Sequence, residues 1–155
     1  MKKRFYVSIL VMLCFYTLSS CSNNDDDGGV NNNSEQLAQV ENTVESGTWR
    51  ITNFIDSGEN ETSDFAGYNF SFNSDGSLVA TNGTDTLTGT WSVTDDSSSS
   101  DDDIDFNIFF PVLDTNDFED LNDDWDIISY TSTKIVLIDI SGGNGGTDNL
   151  TFEKN

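Results

Sequence analysis

Residues 68–78 read Tyr-Asn-Phe-Ser-Phe-Asn-Ser-Asp-Gly-Ser-Leu. Tyr68, Phe70 and Phe72 alternate with Asn69, Ser71 and Asn73, so an extended chain here carries one aromatic face and one polar face. Asn73-Ser74-Asp75-Gly76 then supplies turn chemistry, and Leu78 restarts the apolar series. Strand, tight turn and strand in so short a stretch predict an antiparallel hairpin with one face in a core.

The same rule extends in both directions. Trp49 and Ile51 alternate with Arg50 and Thr52; Leu87, Gly89, Trp91 and Val93 alternate with Thr88, Thr90 and Ser92; Ile104, Phe106, Ile108 and Phe110 continue the series. Turn residues recur at Asn82-Gly83, Ser132-Thr133 and Gly142 to Gly146. The pattern predicts about eight strands, at 47–55, 66–73, 77–82, 86–94, 103–110, 124–131, 134–140 and 148–154. No connection has room for the helix that a parallel crossover needs, so the predicted fold is all-β, an antiparallel up-and-down barrel.

Ahead of the strands, Leu37, Val40 and Val44 fall at i, i+3 and i+7 between Ser34 and Glu45, with Asn33 or Ser34 as N-cap and Gly47 past the end. This predicts a short helix in 34–46 that closes one end of the barrel domain, 47–155. The segment Lys134 to Ile140 is apolar on both faces, through Ile135 and Leu137 and through Val136 and Ile138. Its outer face is expected to need cover from that helix or from 114–122; the long loop 111–123 holds Phe118 and Leu121 at helical spacing. Gly47-Thr48-Trp49-Arg50-Ile51-Thr52 recurs as Gly89-Thr90-Trp91-Ser92-Val93-Thr94, with a partial third copy at Trp125, but the offsets are unequal. Similar demands on three strands explain this echo better than a repeat architecture does.

Charge narrows the function classes. The 155 residues hold six Lys and Arg against 28 Asp and Glu, a net of −22, and no His. Lys2, Lys3 and Arg4 lie at the start, so beyond residue 20 the only cations are Arg50, Lys134 and Lys154. Such a chain cannot neutralise phosphates, which excludes nucleic acid as a partner and excludes polybasic docking on anionic lipid. No imidazole is available as base or metal ligand.

Residues 1–20 read as a processed signal: a positive start, an apolar run from Phe5 to Leu18 broken by Ser8 and Thr17, then Ser19 and Ser20. About 14 apolar residues make a helix of roughly 21 Å, shorter than the roughly 30 Å hydrocarbon core of a bilayer. Leu18-Ser19-Ser20-Cys21 resembles the lipobox of bacterial lipoproteins. That resemblance implies cleavage between Ser20 and Cys21, lipidation of Cys21, and a membrane partner reached through the N-terminal lipid anchor. Cys14 would leave with the signal, and the mature chain would keep no free thiol. Ser22 stands where well-studied lipoproteins retained in the inner membrane carry Asp, and the run Ser22 to Asp27 looks like acidic export signals. The resemblance therefore implies the outer membrane, on its periplasmic or its surface-exposed side. Residues 21–33 are read as the lipidated Cys and a flexible acidic tether, since Val30 is the one apolar residue between 22 and 33, and the alternative to an export signal at Ser22 to Asp27 is a solvated spacer.

Gly47-Thr48-Trp49 opening the first strand, the segments Tyr68 to Gly76, Gly89-Thr90-Trp91 and Leu121 to Trp125, and the closing Leu150-Thr151-Phe152-Glu153-Lys154 resemble the lipocalin-like domains of small bacterial lipoproteins. The resemblance spans most of 47–154. It implies a closed or nearly closed barrel with a mouth suited to a small hydrophobic ligand, and it makes Trp49, Phe70, Phe72, Trp91, Phe106 and Trp125 the candidate ligand-lining residues. It departs from the family pattern in length, in having no disulfide, and in offering Lys154 rather than an Arg to cover Trp49. The residues themselves leave a second reading open, in which these aromatics are core filler and the barrel is solid.

No cofactor is expected. Asp95, Asp96 and Asp101 to Asp103, the trio Asp123, Asp124 and Asp126, and the glycine run before Asp148 lack the spacing of a dedicated calcium loop, so no metal site is assigned. No carboxylate pair has glycosidase spacing, and no Ser-Lys motif is recognisable, so the chain is read as a non-enzyme.

Overall fold

The sequence alternation produces strands that pack as a closed ring. The structure, a computed structural model, describes residues 32–95, 104–140 and 146–155. Within these the order is α1 (Asn32–Val44), β1 (Trp49–Asp56), β2 (Glu59–Asn60), a 3-10 turn (Thr62–Phe65), β3 (Asn69–Phe72), β4 (Ser77–Thr81), β5 (Thr86–Asp95), β6 (Ile104–Phe109), β7 (Asp123–Thr131), β8 (Lys134–Ile140) and β9 (Thr147–Lys154). Strands β1 and β3 to β9 pair antiparallel with their chain neighbours, and β9 returns to pair with β1, giving the expected eight-stranded up-and-down barrel. β2 stands outside the ring as a two-residue hairpin partner of β1, joined through Ser57 and Gly58, which both have positive φ.

Strand burial follows the predicted faces. β4 buries Leu78 and Ala80, β5 buries Gly89, Trp91 and Val93, and β6 buries Ile104, Phe106 and Ile108. Two bulges break the alternation: the register slips at Thr52 against β9 and at Ile128 against β8. Each inserts one residue and tightens the local twist. Ile128 is 60% exposed for this reason, its neighbours having taken the paired positions.

Closure is uneven around the ring. β1 and β9 share six Cα pairs from Trp49↔Lys154 to Ile55↔Asn149, whereas β1 and β3 share only Trp49↔Phe70. Asn155 reinforces that short seam: its N–H donates to the Thr48 carbonyl, and its side-chain amide donates to Thr48 Oγ1 at 3.1 Å and to Asn69 Oδ1 at 2.7 Å. The 3-10 turn packs on β1 beside the same seam and buries Phe65.

Both ends are stopped. At the end where β1 begins, α1 lays Val40 and Val44 into the core, both fully buried, and the Trp49 indole N–H donates to the Val44 carbonyl at 2.8 Å. That bond satisfies one of the carbonyls left open at a helix C-terminus. Gly47 has φ +90°, and a Cβ there would meet Lys154 Cε at 2.9 Å, so only glycine lets the chain leave the helix beneath Lys154. α1 thus starts two residues before the expected 34 and does the end-closing job read for it. At the other end the segment 110–122 forms turns rather than a helix, yet Phe118 and Leu121 are buried as their spacing implied. Asn122 holds this segment in place, its side-chain amide donating to the Phe110 carbonyl and its oxygen accepting from the Phe110 N–H.

Among the described residues, the cover expected over the outer face of β8 is not supplied. The helix and the 110–122 segment close the barrel ends instead, Val136 and Ile138 are half-buried, and Ile140 is 66% exposed.

Gly89 is where the barrel tolerates no side chain. A methyl built there would run into the Phe109 carbonyl oxygen and would lie 2.9 Å from the Phe110 ring. Gly89→Ala should cost about 2–4 kcal/mol, because Phe109 is held by its pairing with Thr90 and Phe110 by the Asn122 side chain. Gly83→Ala, at a turn with nothing within 4 Å but φ +87°, should cost about 1 kcal/mol. Urea denaturation midpoints of the two variants check the order; equal losses would contradict this account of Gly89.

Candidate functional site

Inward alternation brings the six candidate aromatics into the barrel, and three of them, Phe72, Trp91 and Phe106, touch one another directly. Phe72 is the hub, with ring centroids 5.4 Å from Trp91, 5.5 Å from Phe106 and 5.5 Å from Phe152. Phe152 reaches Phe70 at 5.3 Å, and Phe70 reaches Phe118 of the end segment at 6.1 Å. A connected chain of rings therefore runs from the 110–122 stopper to the Trp91 side of the barrel. Most contacts are edge-to-face, the arrangement the ring quadrupole favours.

Trp125 joins through Phe54 at 6.3 Å, and its indole N–H donates to the Leu121 carbonyl at 3.1 Å. Trp49 lies at the α1 end, where Lys154 Nζ sits 5.3 Å from its ring centroid and donates to Ser46 Oγ at 2.8 Å. All three indole N–H groups are thus spent on backbone carbonyls, Trp91 donating to that of Asn73. Their polar handles serve turns and ends of this fold.

Three hollows bordered by described residues open on the outside. Two of about 230–240 Å³ lie where α1 rests on the barrel rim, against Asn73 and Ser74 on one side and Ser132 and Lys154 on the other. A larger one, about 520 Å³, is an open groove on the outer face of β5, β6 and β7. Its register is informative. Ser92 pairs with Asn107 and Asn107 pairs with Asp124, which sets a hydroxyl, an amide and a carboxylate in one row across three strands. Thr90 pairs with Phe109 one step along the same face, and Phe109 is 54% exposed. The Asn107 amide is fixed by donating to Thr94 Oγ1 at 2.9 Å.

Asp123 and Asn122 close one end of the groove. The Asp123 carboxyl is pushed up to about 6, first by loss of solvent and then by its hydrogen bond with Asp124, with the charges of Asp139 and Asp124 adding to both. At the barrel end stopped by 110–122, burial and the surrounding acids Asp56 and Asp64 also raise Glu61 and Asp120. Among the described residues no group of three or more His, Cys, Asp or Glu side chains is placed to hold a metal ion. Ser20, Cys21 and the acid run 96–103 lie outside the described residues.

The groove was not among the sequence-predicted sites. Its one sequence signal is Phe109, an aromatic standing out of phase on the polar face of a strand whose inward residues are Ile104, Phe106 and Ile108. The partner strands and the depth of the hollow depend on closure and have no local signature.

A carboxyl raised in the folded state binds its proton more tightly there than in the unfolded chain. Between the ordinary carboxylate range and about pH 6 the folded state therefore holds more protons, and stability falls as pH rises through that window. Asp123→Asn should raise stability at pH 7.5 by about 1 kcal/mol, allowing for solvent screening of a part-exposed group, and should change little at pH 4. Thermal melts of both proteins at the two pH values test this; a gain that is equal at both would contradict it.

A crystal structure of a DUF4847 family protein from Bacteroides vulgatus is similar to this chain, with a TM-score of 0.48 and 22% identity over 75% of this chain and 97% of that one. No family model matches the chain, and no curated protein matches it.

Proposed function

We propose that this is a lipid-anchored, non-enzymatic accessory protein of the bacterial cell envelope, whose barrel is a filled scaffold that works through its outer surface. The observation that carries the proposal is the chain of ring contacts from Phe118 through Phe70, Phe152 and Phe72 to Trp91 and Phe106, which occupies the space an interior ligand would need. An eight-stranded barrel is wide enough for either side chains or one small ligand, and these contacts favour side chains. The small hydrophobic ligand implied by the lipocalin-like resemblance is for that reason the weaker reading.

Support for the address comes from the sequence. The lipobox-like Leu18-Ser19-Ser20-Cys21 follows a positively charged start and an apolar run, and Ser22 favours the outer membrane. Three acyl chains on Cys21 would exceed the two membrane signals that stable anchoring requires. Support for a non-enzyme comes from composition, since no His is present and beyond residue 20 only Arg50, Lys134 and Lys154 carry positive charge.

Cys21→Ser should move the protein from the membrane fraction to the soluble fraction of its own cells. Continued tight membrane attachment would refute the anchor. Native mass spectrometry of the protein purified from those cells should give the mass of the acylated chain alone; a further apolar molecule bound one to one would restore the pocket reading.

A further inference from the structure

We propose that the outer groove of β5, β6 and β7 binds a neutral polyhydroxylated ligand, a glycan, with Phe109 as its platform and the row Ser92, Asn107 and Asp124 as its hydrogen-bonding partners. The inference stands on the groove and goes beyond the scaffold reading, since it does not depend on the lipid anchor.

Sugars present two surfaces at once, a ring of hydroxyls that both donate and accept, and a flat patch of C–H bonds. A site for them needs convergent polar groups of mixed donor and acceptor character beside an aromatic face. The groove offers both. Serine donates and accepts, the Asn107 oxygen accepts while its amide is engaged by Thr94 Oγ1 and the Ser92 carbonyl, and a carboxylate accepts. Adjacent strands lie about 4.8 Å apart, so the row across three strands extends over roughly 10 Å. Phe109 stands two residues from Asn107 on the same face of β6, roughly 7 Å along the strand, so a ring resting on it has its edge hydroxyls over the polar row. A volume of about 520 Å³ lies in the range of sites that hold small ligands.

Other ligand classes fit less well. No Lys or Arg lines the groove, and Asp123 and Asp124 do, so an anionic ligand meets repulsion. An apolar ligand would find Phe109 together with Trp91 and Ile108, but interrupted by the hydroxyls, amides and carboxylates that line the same groove. A bare cation lacks a set of three ligating side chains among the described residues. What remains is a ligand that is uncharged and rich in hydroxyls. The side chains are also held ready: Asn107 by Thr94, and Asn122 at the groove end by both polar atoms of the Phe110 backbone. Preorganisation of this kind lowers the entropy lost on binding.

The experiment is affinity electrophoresis of the full-length, detergent-solubilised protein through native gels containing starch, xylan, laminarin or galactomannan, with polygalacturonate as the anionic comparison. At least one neutral polysaccharide should retard the protein and polygalacturonate should not. Phe109→Ala and Asn107→Ala should each weaken that retardation at least tenfold, while Phe109→Trp, which keeps a platform, should stay within threefold. Both positions are on the outer face, and unchanged melting temperatures would show that the fold is intact. Migration unaffected by every neutral polysaccharide overturns the proposal. So does retardation that survives both alanine variants, and so does calorimetric binding of calcium chloride alone that is lost in Asp124→Asn with no glycan response.

Discussion

The contact on which most of the structure depends is that of Phe72 with Trp91, Phe106 and Phe152. Phe72, Trp91 and Phe106 come from β3, β5 and β6, close together in the strand order, whereas Phe152 comes from β9, which only closure of the ring brings across from β3. Each edge-to-face pair contributes on the order of 0.5–1.5 kcal/mol beyond the apolar area it buries. The same contacts that close the barrel also fill it. A barrel emptied to hold a ligand would have to give up the packing that holds its opposite walls, and the two end stoppers, α1 and 110–122, would lose the rings they rest on.

Electrostatics divide the surface in a related way. The three cations beyond residue 20 all lie on the β1, β8 and β9 seam, where Arg50 and Lys134 approach Glu153 at 3.6 and 3.7 Å and Lys154 covers Trp49. Exposed ion pairs of this kind contribute little stability, about 0–1 kcal/mol each. Their placement matters more, because it removes positive charge from the rest of the exterior. The face carrying Asp105, Asp124 and Asp126 is left acidic, with hydroxyls, amides and one phenyl ring among the carboxylates. That face is where the proposed scaffold presents its polar groups.

The strands were legible because inward and outward residues alternate strictly from Tyr68 to Phe72 and from Leu87 to Val93, and because Asn73 to Gly76 and Asn82-Gly83 mark their turns. α1 was legible from Leu37, Val40 and Val44. β2 was missed although Ser57-Gly58, a two-residue turn with positive φ, signals it, because a strand of two residues has no period to read. Among the described residues the expectation of a covering layer over β8 failed because α1 and 110–122 close the barrel ends instead, a placement that no one-dimensional pattern records. Which inward rings touch was not legible either, since partners such as Phe72 and Phe152 are set by closure. Trp49, Phe70, Phe72, Trp91, Phe106 and Trp125 could be identified as inward, but lining and filling differ only in what stands opposite. The groove needed the register of three strands, and Phe109 alone hinted at it.

The central claim is that the interior is solid. Xenon enters dry apolar cavities and scatters strongly, so a crystal of the protein pressurised with xenon reads interior space directly. With the rings in contact, no xenon is expected within van der Waals contact of Phe72, Trp91, Phe106 or Phe152. An ordered xenon atom among those rings would contradict a solid interior and would return the ligand to the barrel.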